Sequence, residues 1–470
     1  MRRLTAALFC LLGVGVAQDT IWLRQIDLGS DEQLIGIASQ GERVVSVGSY
    51  TDPVNYDLEG LIVLFNQSGE TLRTATIELG GDEQLIDVFL DQNGNCYVAG
   101  NGSISERNSW RPKDLIRSAS FQAPYCIIAK FDSLGSQQWG IVDSPYVGCG
   151  IAVDSQGNCY ATGAYGSGFL YDFCIAKILP DGDTAWTRRF DFNLLDILYR
   201  PAVDQNANLI APGFSTNFST LTGIIMKVSA AGETVWTRID NSMPMVAFVS
   251  ADVDQSGRIF VTGFCGDNEN IDILILCLDS LGNEAWRTTY DFSSDDEGLG
   301  IVSDPSGYLY VTAYNADGDC VLLKLAFDGS LIWAERYDFG GYEYFQDLAL
   351  DGDKNPIACG LTDFGANPYD LLLAKFSPIT GIAQSAKSGA KKTGYCLIRN
   401  GELLIRTPVS GRYGIEIYNI AGAKLAVFAN RLLNPGEHRF QLGPLPSGTY
   451  IIRIIGPNVS TIVNKGVVAR

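Results

Sequence analysis

Residues 251–286 read ADVDQSGRIFVTGFCGDNENIDILILCLDSLGNEAW. An alternating apolar run, Ala251 to Val253, meets the tight turn Asp254-Gln-Ser-Gly257, and a second run, Ile259 to Thr262, ends at Gly263. A polar loop follows, then Ile273 to Leu278, the turn Asp279-Ser-Leu-Gly282 and a segment carrying Trp286. Short alternating runs bounded by Gly, Asp and Asn turns predict three strands leading into a fourth.

The unit recurs. Aligned on the Asp turn and the Gly nine positions beyond it, copies start at Ser39, Asp91, Asp154, Asp204, Asp254, Asp304 and Asp351. A second marker keeps the same register. Gly135, Gly182, Gly232, Gly282 and Gly329 each precede a Trp by four (Trp139, Trp186, Trp236, Trp286, Trp333), whereas Gly69 leads to Arg73. Two markers in step define a repeat protein. A four-stranded sheet of this kind buries both faces only against its neighbours, so seven copies predict a closed β-propeller. The first strand of each copy lines the axis, the fourth forms the rim, and the Trp wedges between blades. The chain begins with a fourth-strand pattern (Thr20 to Ile26, containing Trp22), and the last copy lacks its Trp. Residues 20–26 are therefore expected to supply the outer strand of the seventh blade, which removes the open edges.

These motifs resemble the SBBP-type bacterial β-propeller repeat over about residues 20 to 386. That resemblance implies an exported propeller and brings no common catalytic residues. The expected fold is all-β: a seven-bladed β-propeller (19–386), a linker (387–393) and a small Ig-like β-sandwich (394–470). In the last module, IEIYNIAGAKL (415–425), NPGEHRF (434–440), LPSGTYIIRI (445–454) and the closing TIVNKGVVAR resemble a type IX (Por) secretion C-terminal sorting domain. The resemblance implies delivery by the type IX secretion machinery. Two departures from that family are Gly394-Tyr-Cys-Leu at the usual entry motif and Arg470 as the last residue.

Composition agrees with turn-rich β structure: 51 Gly without a triplet period, and 46% apolar residues. The formal charge is −19, which repels phosphate backbones and excludes nucleic acid as a partner. Residues 394–470 carry nine Lys or Arg against three Asp or Glu, so the acidity belongs to the ring. Met1-Arg-Arg3, an apolar run to Val16 and Ala17-Gln18 form a secretory signal (1–18). Phe9 before Cys10 excludes a lipobox, and no other run reaches the roughly 20 apolar residues of a membrane helix. The expected location is secreted or at the cell surface. Most of the 11 Cys fall at equivalent places in different copies, too far apart to bridge, and are read as buried thiols.

The single His, His438, lies in the last module, which removes His-dependent catalysis and His-ligated zinc from the ring. Carboxylates remain: Asp31-Glu32, Asp82-Glu83 and Asp295-Asp296-Glu297 in one recurring loop, with Asp267, Glu269, Asp317 and Asp319 in another on the same face. Acids that recur with the repeat are read as turn structure; Ca²⁺ is the weaker reading and catalysis the weakest. No catalytic or metal residue is assigned, and no cofactor beyond that weak calcium expectation. One insertion breaks the pattern. The loop 101–124 holds Arg107, Trp110, Arg111, Lys113 and Arg117, an aromatic among cations in an acidic ring, and is the expected binding surface. The expected function is a scaffold binding an extracellular glycan or protein; the alternative is a secreted carboxylate-dependent hydrolase or lyase acting on polysaccharide.

Overall fold

The computed structural model describes residues 20–103 and 124–377 apart from short interruptions at 55, 80, 144–145, 168–169, 268, 293–294, 338–341 and 364–368. It also describes residues 7–9 and the strands of the C-terminal region. The chain divides into two compact units, with residues 21–386 as the body of the first and residues 387–470 as the body of the second.

In the first unit, the strands run as successive antiparallel sets. Blade 1 is Glu32–Gln40, Arg43–Thr51, Leu58–Phe65 and Thr71–Ile77, hydrogen-bonded in that order. The inner strands of the later blades are Asp82–Leu90, Tyr146–Val153, Leu195–Leu198 with Ala202–Val203, Met245–Val253, Asp296–Asp304 and Glu343–Leu350. Each touches the next, and Glu343–Leu350 returns to Glu32–Gln40, so the ring closes on itself. This unit is an all-β propeller.

Thr20–Asp27 lies beside Asp370–Phe376 in the sheet of blade 7, and the short strand Ala7–Phe9 lies outside it. Ile26 is fully buried in one apolar cluster with Ile357, Cys359, Leu371 and Leu373 of blade 7 and Leu34, Val44 and Leu61 of blade 1.

The repeat's markers have physical causes. The turn Asp accepts two backbone bonds: Asp254 Oδ1 takes the N–H of Ser256 (2.8 Å) and of Arg258 (2.9 Å). The Gly nine residues on sits under a carbonyl of the inner strand. A Cβ at Gly263 would lie 2.0 Å from the Ala247 oxygen, which excludes any side chain. Five Trp side chains wedge against the next blade. The indole N–H of Trp22, Trp139, Trp186, Trp236 and Trp286 donates to Gln67, Pro180, Ala230, Ser280 and Phe327 carbonyls at 2.9–3.3 Å. The rings of Trp22, Trp139, Trp186, Trp236 and Trp286 press on Gly69, Gly182, Gly232, Gly282 and Gly329, where only hydrogen fits. Nine cysteines of the ring are buried free thiols.

The second unit holds a three-stranded sheet (Cys396–Arg399, Glu402–Thr407, Gly436–Gln441) and a four-stranded one (Lys424–Leu433, Gly411–Asn419, Gly448–Gly456, Val459–Val468). Phe428 of one sheet meets Phe440 of the other, with ring centroids 4.9 Å apart, as in a two-layer β fold. Among the described residues, no helix is long and apolar enough to cross a membrane.

Candidate functional site

Three features of the ring could carry function: its axis, the acids at the blade seams, and one cavity on the rim.

The axis is plugged. Each inner strand except that of blade 4 carries a bulge at one position, where Ile35, Ile86, Cys149, Val249, Leu299 and Gln346 fall out of register. Blade 4 breaks there instead, between Leu198 and Ala202, and sends Arg200 inward. Its guanidinium donates to the carbonyls of Ile35 (2.6 Å), Gln346 (3.2 Å), Ile86 (3.4 Å) and Leu299 (3.4 Å). Its backbone pairs with Val249 and Ala251 of blade 5. Asp87 and Asp347 stand 3.8 Å from its Nε and also accept the N–H of Ile151 and Ile37. One cation cannot neutralise two buried carboxylates. Burial, ahead of the attraction of Arg200, lifts Asp87 to about 7 and raises Asp347 as well. The plug spends its charges on holding blades together at the axis.

The acids of the upper loops are also engaged. Glu32, Glu83, Asp196 and Asp296 are the first or second residues of the inner strands of blades 1, 2, 4 and 6 and are buried there. Their oxygens cap the preceding turn. Glu32 Oε1 accepts from Leu28 and Ser30, Glu83 Oε1 from Gly81 and the Tyr125 hydroxyl, and Asp196 and Asp296 from Phe192 and Phe292. Burial raises Glu32 to about 8, Glu83 to about 7 and Asp296 to about 6. Asp317 and Asp319 are both paired with Arg336. Each of these acids is tied through one of its oxygens to its own turn or to a neighbouring side chain.

The raised Glu83 gives a test. An acid whose folded pKa lies above its unfolded value stabilises the fold below the unfolded value, near 4.5, and this is lost as pH rises through about 7. Glu83→Gln should remove on the order of 2 kcal/mol from the stability difference between pH 4.5 and pH 8. Denaturant unfolding at the two pH values checks this; equal pH slopes in variant and wild type would overturn it.

The rim cavity lies where the wedge is missing. Between blades 1 and 2, Arg73 replaces the Trp and donates to Leu134 O at 2.9 Å. The seam encloses about 320 Å³, walled by Val45, Ile62, Leu64, Leu79, Leu90 and Phe131, with Arg43 and Arg73 also on the wall. This reaches the lower end of small-ligand pockets, about 300–1,000 Å³. The cavity at the next seam, which has its Trp139, is about 90 Å³.

The five insertion residues Arg107, Trp110, Arg111, Lys113 and Arg117 lie outside the described residues. Sequence reasoning noted Arg73 as a departure but did not foresee a cavity. It missed Arg200 altogether, although aligning the inner strands sets this one long cation against Gly36, Asp87, Gly150, Ser250, Gly300 and Asp347.

No family model matches the chain, and no curated protein matches it. Among solved structures, it is similar to a polysaccharide lyase of family PL25, an ulvan lyase, at 13% identity over 73% of this chain and 94% of that one, with a TM-score of 0.45. It is also similar to the β-propeller domain of the Trilobed protease from Pyrococcus furiosus, at 11% identity over 73% and 93%, with a TM-score of 0.43. A third is the Dos1 propeller, at 10% identity over 74% and 93%, with a TM-score of 0.46.

Proposed function

We propose that the chain is an exported β-propeller scaffold that binds an extracellular partner, delivered by its C-terminal module through type IX secretion. The observation that carries the binding reading is the rim cavity. It is a largely apolar space in the place where five sibling seams hold an indole, concave and lined as small-ligand pockets are. An aromatic side chain of a partner protein suits it in size and character, with Arg43 and Arg73 beside it for an acidic neighbour of that side chain. The insertion with Trp110 and Arg111 supplies a second contact surface in this reading. The axial plug and the turn-bound acids weigh against the hydrolase or lyase alternative.

The test uses the full chain against panels of surface proteins and glycans, with indole as a small probe of the cavity. Arg73→Trp should refill the seam and abolish indole and protein binding at least tenfold. A glycan hit lost only in Trp110→Ala/Arg111→Ala would move the site to the insertion. Binding retained by both variants, or none at all, sinks the reading. The chain ending at residue 393 should be made and folded but not reach the cell surface; efficient display of it overturns the delivery assignment.

A further inference from the structure

We propose a divalent-cation site, of calcium character, formed by Asp27, Glu32 and Asp370 at the seam where the ring closes. The three acids come from three segments that meet only in the closed ring. Asp27 ends the N-terminal strand, Glu32 opens the inner strand of blade 1, and Asp370 opens the third strand of blade 7. One carboxylate oxygen from each lies within 4.8 Å of the others.

The acids' internal bonds leave a specific remainder. Glu32 Oε1 is taken by the N–H of Leu28 (3.1 Å) and Ser30 (2.9 Å). Asp370 Oδ2 is taken by Gln25 Nε2 (2.5 Å), and Asp27 Oδ1 by the N–H of Gly29 (2.7 Å). Glu32 and Asp370 are each only 2% exposed, and Glu32 Oε2 and Asp370 Oδ1 are buried with no hydrogen-bond partner. Buried carboxylate oxygens are normally satisfied, so two orphans in one cluster call for a bound cation or a shared proton. The donor set decides which metal. It holds oxygen only, with neither His nor Cys, which suits a hard ion completing its shell with water and carbonyls; zinc prefers nitrogen and sulfur.

A second seam carries the same constellation. Asp172, Asp191 and Asp196 likewise bring one oxygen each within 4.8 Å, between blades 3 and 4. The spacing is identical: Asp27 and Asp191 stand five residues after Trp22 and Trp186, Glu32 and Asp196 five further on, and Asp370 and Asp172 five before Lys375 and Lys177. Asp196 Oδ1 is also buried without a hydrogen-bond partner. Asp191 is exposed there, so this site is the weaker of the two.

The experiment follows thermal unfolding of the chelator-treated full chain as CaCl₂ is added, with MgCl₂ in parallel. At 1 mM Ca²⁺, the midpoint should rise by about 5 °C, and by less with Mg²⁺. Asp370→Asn should lose most of the rise, and Asp196→Asn should keep it. If Asp370→Asn does not fold, Asp27→Asn, which changes a half-buried residue, gives the same reading. No rise at 1 mM Ca²⁺ overturns the site, as does an equal rise in the seam variants. A gain of stability in Glu32→Gln without calcium, with no calcium response in wild type, would assign the orphans to a shared proton instead. The outcome is independent of whether the rim cavity binds a partner.

Discussion

Arg200→Met should lower the free energy of unfolding of the ring by about 3–5 kcal/mol, the range found when one member of a buried ion pair is removed. The substitution nearly conserves volume, so the loss comes from charge and hydrogen bonding rather than from a void. Asp87 and Asp347 would be left buried with no cation beside them. The carbonyls of Ile35, Ile86, Leu299 and Gln346 would each lose their axial donor. Four blades distant in sequence would then converge on a point with nothing to hold them. Arg200→Lys should recover little, because an ammonium cannot spread its donors over a ring as a planar guanidinium does. Arg200→Met combined with Asp87→Asn and Asp347→Asn should regain a substantial part, since it removes the unpaired charges and leaves only the carbonyls unmet. Denaturant midpoints at constant m-value check the series. A cost below 1 kcal/mol for Arg200→Met would show that the plug fills space without holding the ring.

The periodicity was readable because it follows from local physics. Asp254 must accept turn amides, Gly263 must leave room for the Ala247 carbonyl, and Trp286 must fill a seam, so each is repeated wherever those demands are repeated. Arg200 answers a demand that arises once, at the point where all blades meet. A single residue carries no period, and only the three-dimensional ring gives it partners 165 and 146 residues away. The calcium seam falls between these cases. Of its acids, Glu32 alone stands out in the sequence, as a neighbour of a turn, and the structure shows it accepting turn amides. The third member, Asp370, is 343 positions from Asp27, and nothing in a local window joins them. The recurrent spacing from Trp to Asp to Asp or Glu is a signal that could have been followed. The rim cavity needed one inference more, that a wedge replaced by Arg73 leaves space which the arginine, bonded to Leu134, does not fill.

A chain beginning at Leu28 should fail to fold cooperatively, or lose on the order of 5 kcal/mol or more, relative to one beginning at Asp19. The missing strand contributes Ile26, wholly buried, and Leu23, nearly so, each worth about 1.5–3 kcal/mol of apolar burial. It also contributes the Trp22 indole and its bond to Gln67 (3.0 Å), and Gln25, which satisfies one oxygen of Asp370. Without it, Asp370–Phe376 becomes a bare, largely apolar edge (DLLLAKF) of the kind that pairs with other chains. The truncated protein should therefore aggregate at concentrations where the longer one stays monomeric. A peptide spanning residues 19–29 has the hydrogen-bonding face and the Leu23–Ile26 side chains to dock there, and should restore solubility and part of the unfolding midpoint in proportion to its concentration. The same peptide with Ile26→Asp should not, because a carboxylate would replace the fully buried side chain that the strand places in the blade 7 core. Calorimetry and light scattering with and without peptide give the reading. If the chain from Leu28 melts within about 1 kcal/mol of its longer counterpart, the ring is held by its other seams, and the N-terminal strand is an ornament of blade 7 rather than its closure.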